Sequence, residues 1–249
     1  MAERGMPNPA HVVMEKQFVP RAGEAGLAAA AAPITILVTD EVDEYEEGRL
    51  EADAGLFAAA AAGDNFDGKS RRASKLSLPN APLETFDDLK ELIDSLPDDQ
   101  DMADHVPPIN AEDPKSRRVA EEKRNVRVDA FLYAASREDD NDFHLILGRD
   151  PDAEDEELYM TAEISGLPPA NSASFAKLNA ARNAYKSFFP QLPGAKYHFY
   201  RPPVAVRIEG ALFWDAKHVT GGRPGPQDLR PNMPTIWEIH PVSKITFEV

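Results

Sequence analysis

From about residue 124 onward, the hydrophobic positions fall into short runs with strand character. Val126 to Ala134 is rich in β-formers, Asp142 to Gly148 and Leu158 to Ile164 alternate, Val204 to Asp215 is a long alternating run, and Ile236 to Val249 ends the chain. Between the third and fourth runs the period becomes helical at Phe175, Leu178, Ala181, Tyr185 and Phe188, starting from Ser172 and stopping before Pro190. The order β-β-β-α-β-β is that of the five-stranded Greek-key barrel called the OB-fold. The sequence therefore predicts a mainly β, OB-like barrel domain over residues 124–249, with one helix between strands three and four. A two-layer α+β sheet with the helix on one face is the competing architecture.

The N-terminal half has different patterning. Residues 1–80 read as low complexity and largely disordered, with alanine runs at Ala28 to Ala32 and Ala58 to Ala62 and an acidic stretch from Asp40 to Glu51 that lacks apolar periodicity. Ile34 to Val38 looks like a short strand within it. Residues 82–97 predict an amphipathic helix capped by Thr85, its stripe formed by Phe86, Leu89, Leu92, Ile93 and Leu96. A helix this short needs a docking surface, either on this chain or in the groove of a protein partner that takes Phe86 to Leu96. Residues 98–123 carry Pro107, Pro108 and Pro114 among charges and read as a linker.

Charge sharpens the division. The chain of 249 residues has 43 acidic and 27 basic side chains, a formal net charge of −16. Residues 1–121 hold 25 acidic and 12 basic residues, residues 122–249 hold 18 and 15, so the acidity lies mostly in the first half. Such a charge disfavours generic coating of nucleic acid or anionic lipid. The absence of cysteine excludes disulfides, thiolate zinc sites and cysteine nucleophiles. The longest apolar run, Ala25 to Val38, contains Pro33 and is shorter than the roughly 20 residues of a membrane span, and no secretory pattern stands out. A cytoplasmic protein without membrane contact is the expectation.

Alternation also assigns faces. Phe143, Leu145 and Leu147 match Met160, Ala162 and Ile164, and Val206, Ile208, Gly210, Leu212, Trp214, Trp237 and Ile239 complete the inward set. On the opposite surface lie Asp142, His144, Thr161, Glu163, Arg207, Glu209, Phe213, Asp215, Glu238 and His240. In an OB barrel, strands two and three supply the ligand-binding face, so the same positions mark a candidate site on an exposed sheet wall. His144, Glu163, Asp215, His218, Glu238 and His240 are also the residue types that a divalent metal takes, and a metal-assisted hydrolase or phosphodiesterase would use them as ligands or acid–base groups. No His-x-x-x-His or His-Glu-x-x-His spacing is present, and a half-solvated sheet would carry the same alternating polar residues. No cofactor beyond such a metal is expected.

Three further segments are candidates for contact with a ligand. Tyr197, His198, Tyr200 and Arg201 interleave aromatic rings with positive charge, the combination that stacks bases and neutralises a backbone, although aromatic residues more often bury. Arg223 and Arg230 stand in a Gly/Pro-rich loop between the last two strands, with no phosphate-binding glycine pattern. Glu138, Asp139, Asp140 and Asp142 crowd the loop after the first strand. They lack the calcium-loop spacing and read as a solvated turn. The leading expectation is a binding module for single-stranded nucleic acid, a glycan or a protein segment, the nucleic acid being disfavoured by net charge. A metal-assisted hydrolase and a purely structural interaction partner are the alternatives.

The segments Asp142-Phe143-His144-Leu145, Ala162-Glu163-Ile164, Gly210 to His218 and Trp237-Glu238-Ile239-His240-Pro241-Val242 resemble small bacterial proteins of uncharacterised function. Those proteins carry comparable His-Leu, Glu-Ile, Gly-x-x-Phe-x-Asp-x-x-His and Glu-x-His-Pro-Val blocks. The resemblance covers about residues 124–249. It implies a shared site at His144, Glu163, Asp215, His218, Glu238 and His240 and brings no established activity.

Overall fold

The structure is a computed structural model in which residues 4–20, 32–42, 63–154 and 156–248 are described. It is mainly β. Eight strands form one mixed sheet: β1 (Val12–Phe18), β2 (Ile34–Val42), β3 (Leu83–Phe86), β4 (Asn125–Arg137), β5 (Phe143–Gly148), β6 (Tyr159–Ile164), β7 (Lys196–Trp214) and β8 (Trp237–Phe247). The helices are few and mostly short: α1 (Arg72–Lys75), α2 (Leu89–Asp94), α3 (Asp99–Ala103), α4 (Phe175–Phe188) and α5 (His218–Gly221). None is long and apolar enough to cross a membrane.

The strand order is β1-β2-β7-β8-β6-β5-β4-β3, and β7 also pairs with β4. All five strands expected after residue 124 are present in the expected order, with α4 between the third and the fourth. The sheet is nevertheless eight-stranded rather than five-stranded, because β1, β2 and β3 come from the half read as low complexity, helix and linker. The reason lies in the length of β7. Its 19 residues pair with β4 along one edge, while the other edge serves β2 up to Arg201 and β8 from Val206. Pro202 and Pro203 stand at that change of partner, where a residue without a backbone N–H removes no ladder bond.

The inward faces follow the alternation. Phe143, Leu145, Leu147, Met160, Ala162, Ile164, Val206, Ile208, Leu212, Trp214, Trp237 and Ile239 all belong to one buried cluster. At Gly210 a Cβ would lie 2.5 Å from Ile239 and 2.6 Å from the Pro241 carbonyl, so only glycine lets β8 approach there. Helix α4 lays Ala181 and Tyr185 on the same core, and its Tyr185 hydroxyl lies 3.0 Å from that of Tyr200.

The N-terminal half corrects the sequence reading in three places. Residues 82–97 do not form one helix. Leu83–Phe86 pairs in parallel with β4, and the helix begins only after Asp88, whose carboxylate accepts from the Lys90 amide at 2.6 Å, so Asp88 and not Thr85 is the cap. Leu89 and Leu92 are buried in the core of this chain, which leaves the Phe86 to Leu96 stripe docked at home. Residues 98–123 are not a passive linker, since they include α3 and bury Arg118 and Glu122. Within residues 1–80, strands β1 and β2 and the segment from Gly63 on are built into the fold, the run Ile34–Val38 being buried on both faces between β1 and β7. The alanine runs, Ala32 excepted, and the acidic stretch from Asp43 on lie outside the described residues.

Segment 63–67 is anchored at both sides. Phe66 N–H donates to the Leu167 carbonyl, Leu167 N–H to that of Asp64, and Asp67 N–H to that of Asp140. From α4, Arg182 and Lys186 reach the Asp64 carboxylate at 3.0 and 2.7 Å. Burial alone would push that carboxyl up, but the hydrogen bonds from Lys186 and Arg182 outweigh it and hold Asp64 below its ordinary value. With the folded value depressed, the stabilisation is present above the ordinary carboxylate range and is lost as pH falls through the folded value. Asp64→Asn is therefore expected to flatten the decline of the urea midpoint below about pH 4. An acid limb identical to that of the parent would show that this anchor contributes nothing.

Candidate metal centre

Strand register assembles the site. His144 of β5 sits opposite Glu163 of β6, Thr161 of β6 opposite Glu238 of β8, and Phe213 of β7 opposite Glu238 from the other side. Because alternate residues share a face, Asp142, His144, Glu163, Asp215, Glu238 and His240 all project to the side away from the apolar core. All six metal-type residues anticipated from the sequence meet in one continuous cluster. Among the described residues, three triads have donor atoms within 4.8 Å of one another: Glu138–His144–Glu163, Asp142–Glu163–His240 and Asp215–His218–Glu238.

The contacts are short. His144 Nδ1 lies 2.8 Å from Glu138 Oε1 and 3.6 Å from Glu163 Oε1. His240 Nδ1 lies 2.5 Å from Glu163 Oε2 and 3.5 Å from Glu238 Oε2, while its Nε2 is 3.3 Å from Asp142 Oδ2. His218 Nε2 stands 3.6 Å from Asp215 Oδ2 at the end of the cluster nearest solvent. His144 hydrogen-bonds Glu138, and His240 is ion-paired with Glu163 and Asp142, but the angles at several of these contacts are poor. Asp142 Oδ2, Glu163 Oε2, both oxygens of Glu238 and both ring nitrogens of His240 are buried without a partner in hydrogen-bond geometry. Buried polar atoms are normally satisfied, so donors that crowd together without aiming at one another call for an explanation.

Electrostatics give the same picture. Burial and Glu163 push Glu138 up to about 7, burial and Asp140 push Asp142 up to about 8, and burial and Glu163 push Glu238 up to about 8. Burial would also push Glu163 up, but His240 and Lys75 outweigh it and hold that carboxylate well below its usual range. Burial works against a charged His240 and a charged Lys75 alike, yet Glu163 keeps both well above their ordinary values. Two cations thus stand among the carboxyls of Glu138, Asp142, Glu163 and Glu238. The group has more acid than counter-charge, a deficit that protons or a metal ion would fill.

The wall is not exposed, which corrects the sequence reading. Asp142, His144, Glu163, Glu238 and His240 are each at most 2% accessible. The cover is the arm expected to be disordered or linking. Lys75 Nζ lies 3.3 Å from Asp140 and 3.7 Å from Glu163. Arg71 packs 4.6 Å over the Phe213 ring and pairs twice with Glu122 at 2.7 Å, and Arg118 donates to the carbonyls of Ser74, Leu212 and His240. At Gly166 a Cβ would meet the Phe66 backbone at 2.6 Å, and the Gly166 amide donates to Asp142 at 2.6 Å, so the arm and the acidic loop are locked together there.

The other anticipated contacts serve packing. Tyr197, His198 and Tyr200 are buried within β7, and Arg201 reaches Glu15 at 3.4 Å, so the aromatic–basic run presents no stacking platform. Burial, with Lys16 nearby, drives His198 down to about 4. Arg223 is bound to Asp99 at 2.6 Å, and Arg230 donates to the Gly225 carbonyl. Lys75 was missed as a site residue, whereas Glu138 and Asp142 were considered as a ligand-contacting loop and read as a solvated turn. The signal for the latter two was present, since Glu138 and Asp142 flank a turn that leads into the His144 strand. No family model, curated protein or solved structure matches the chain.

Proposed function

We propose that this protein is a metal-dependent hydrolase acting on phosphodiesters, built on an OB-like winding. The winding rests on the pairing of five strands: β4 with β5, β5 with β6, β6 with β8, β8 with β7, and β7 with β4. These pairings support an OB-like winding, here extended by β1, β2 and β3. The observation that carries the metal is the convergence of buried carboxylate and imidazole groups, several of whose atoms have no partner in hydrogen-bond geometry. Without cysteine, the donors are all oxygen and nitrogen, the set used by hydrolytic centres rather than by thiolate structural sites. A divalent cation there would supply a Lewis acid and a water activated near neutral pH. Asp215 and His218 form the end nearest solvent, where substrate would enter.

The feature that favours an anionic substrate is a surface depression of about 410 Å³ lined by Arg72, Lys115 and Arg117, which shares no residue with the cluster. Elemental analysis of purified protein, followed by hydrolysis of bis(p-nitrophenyl) phosphate with added Mn²⁺ or Zn²⁺, tests the reading. Turnover that disappears in His218→Ala and with chelator is expected, and metal-loaded protein without turnover would sink the hydrolase. Burial favours a second reading, a closed structural metal ion. On that reading, chelation lowers the melting temperature and no substrate is turned over.

A further inference from the structure

We infer that the centre is dinuclear, holding two divalent cations bridged by the carboxylate of Glu163; the inference rests on the metal centre proposed above. Two of the three triads share Glu163, and they use it from opposite ends. Oε1 faces His144, 3.6 Å away, whose other neighbour is Glu138; Oε2 faces His240, 2.5 Å away, whose other neighbour is Asp142. Each half-site therefore has one imidazole and one carboxylate of its own, plus one oxygen of the common glutamate. The two oxygens of one carboxylate are about the right span to join ions some 3.5–4 Å apart, the spacing of two-metal hydrolytic sites.

The surroundings fit a pair better than a single ion. A lone ion between His240, Asp142 and Glu163 would leave the half-buried Glu138 with only its hydrogen bond to His144, and Lys75 directed to Glu163 and Asp140. Two ions satisfy both ends. With an ion on His240 Nδ1, beside Glu163, Glu238 is that half-site's own carboxylate and Nε2 keeps Asp142 3.3 Å away, the arrangement that fixes ring orientation at metal centres. Neither oxygen of Glu238 is in a hydrogen bond, as suits a ligand for the His240 ion. Strand register favours Glu163 as the bridge: it lies opposite His144 on one side of β6 and follows the residues that pair with β8 on the other, and among the described residues it is the one common to both triads.

The test is a titration of metal-free full-length protein with Mn²⁺, reading the bound ions per chain after gel filtration and the electron paramagnetic resonance of the product. Two ions per chain with an exchange-coupled spectrum are expected. Glu163→Gln should lose the coupling and bind at most one ion, while His144→Ala and His240→Ala should each retain one. One uncoupled ion per chain in the parent would overturn the dinuclear centre and leave the metal reading standing. No bound ion would overturn both. Because the alanine variants empty buried space, Glu138→Gln serves as a near-isosteric check and should also reduce the count to one; a count of two with intact coupling in Glu163→Gln would remove Glu163 as the bridge.

Discussion

Glu122→Ala is expected to lower the free energy of unfolding by about 3–5 kcal/mol, because it strands a buried guanidinium. Arg71 and Glu122 are each at most 1% accessible and joined by two bonds of 2.7 Å. Glu122 also accepts from the amides of Val119, at 2.9 Å, and Trp214, at 3.0 Å. Its removal leaves those two amides without an acceptor and the Arg71 charge with only the Trp214 and Arg117 carbonyls, at 3.0 and 3.4 Å, in a region closed to water, each a cost of its own. Glu122→Gln keeps the shape and one oxygen, so a smaller loss is expected. Replacing Arg71 by Met and Glu122 by Leu together should recover much of the difference, since an apolar pair of similar volume avoids desolvation. Urea unfolding followed by tryptophan fluorescence reads all three variants, Trp214 being beside the pair. A loss below about 1 kcal/mol for Glu122→Ala would mean that the arm is not part of the cooperative fold.

That experiment bears on how much of the molecule can be seen in its sequence. Alternation placed Phe143, Leu145 and Leu147 against Met160, Ala162 and Ile164, and by the same rule it gathered His144, Glu163, Glu238 and His240 on one face. It is silent on what lies over that face. Whether a carboxylate is solvated or buried depends on a counter-charge that arrives from far along the chain, and here Lys75 comes from 88 positions before Glu163 in a four-residue helix with no apolar period. Arg118 stands among prolines and charges, where composition suggests a solvated linker, yet its guanidinium ties Ser74, Leu212 and His240 together. Asp142 followed three other acids in a loop and looked like part of a turn, but it ends inside the cluster with its Oδ1 on the Gly166 amide. The misread of residues 82–97 has a local cause. Thr85, Asp87 and Asp88 all suit a helix start, and only pairing with β4 decides that the chain stays extended through Phe86. Likewise Tyr197 to Arg201 has the composition of a base-stacking run, while its position near the start of a 19-residue strand, between β2 and β4, buries its rings.

Loading the metal-free protein with divalent cation at a hundred times the dissociation constant is expected to stabilise it by about 2.7 kcal/mol for one site. For a chain of this size that corresponds to a rise of about 5–11 °C in melting temperature. The gain follows from linkage. The unfolded chain spreads Asp142, Glu163 and His240 over 99 positions and offers no preformed site, so the ion binds the native state almost alone. In the folded protein the same ion also offsets the burial, and the neighbouring carboxylates, that push Glu138, Asp142 and Glu238 above their ordinary range. Glu163→Gln combined with His240→Ala should abolish the cation-dependent rise, whatever it does to the starting stability. Asp129→Asn, which alters an exposed pair with Arg207 far from the cluster, should leave the rise intact. Differential scanning calorimetry with Mn²⁺, Zn²⁺ and Mg²⁺ against a matched ionic-strength blank separates specific binding from screening of the chain's net negative charge. A rise of equal size in the double variant would assign the effect to screening, and the converging carboxylates and imidazoles would then be a proton-sharing network instead of a metal centre.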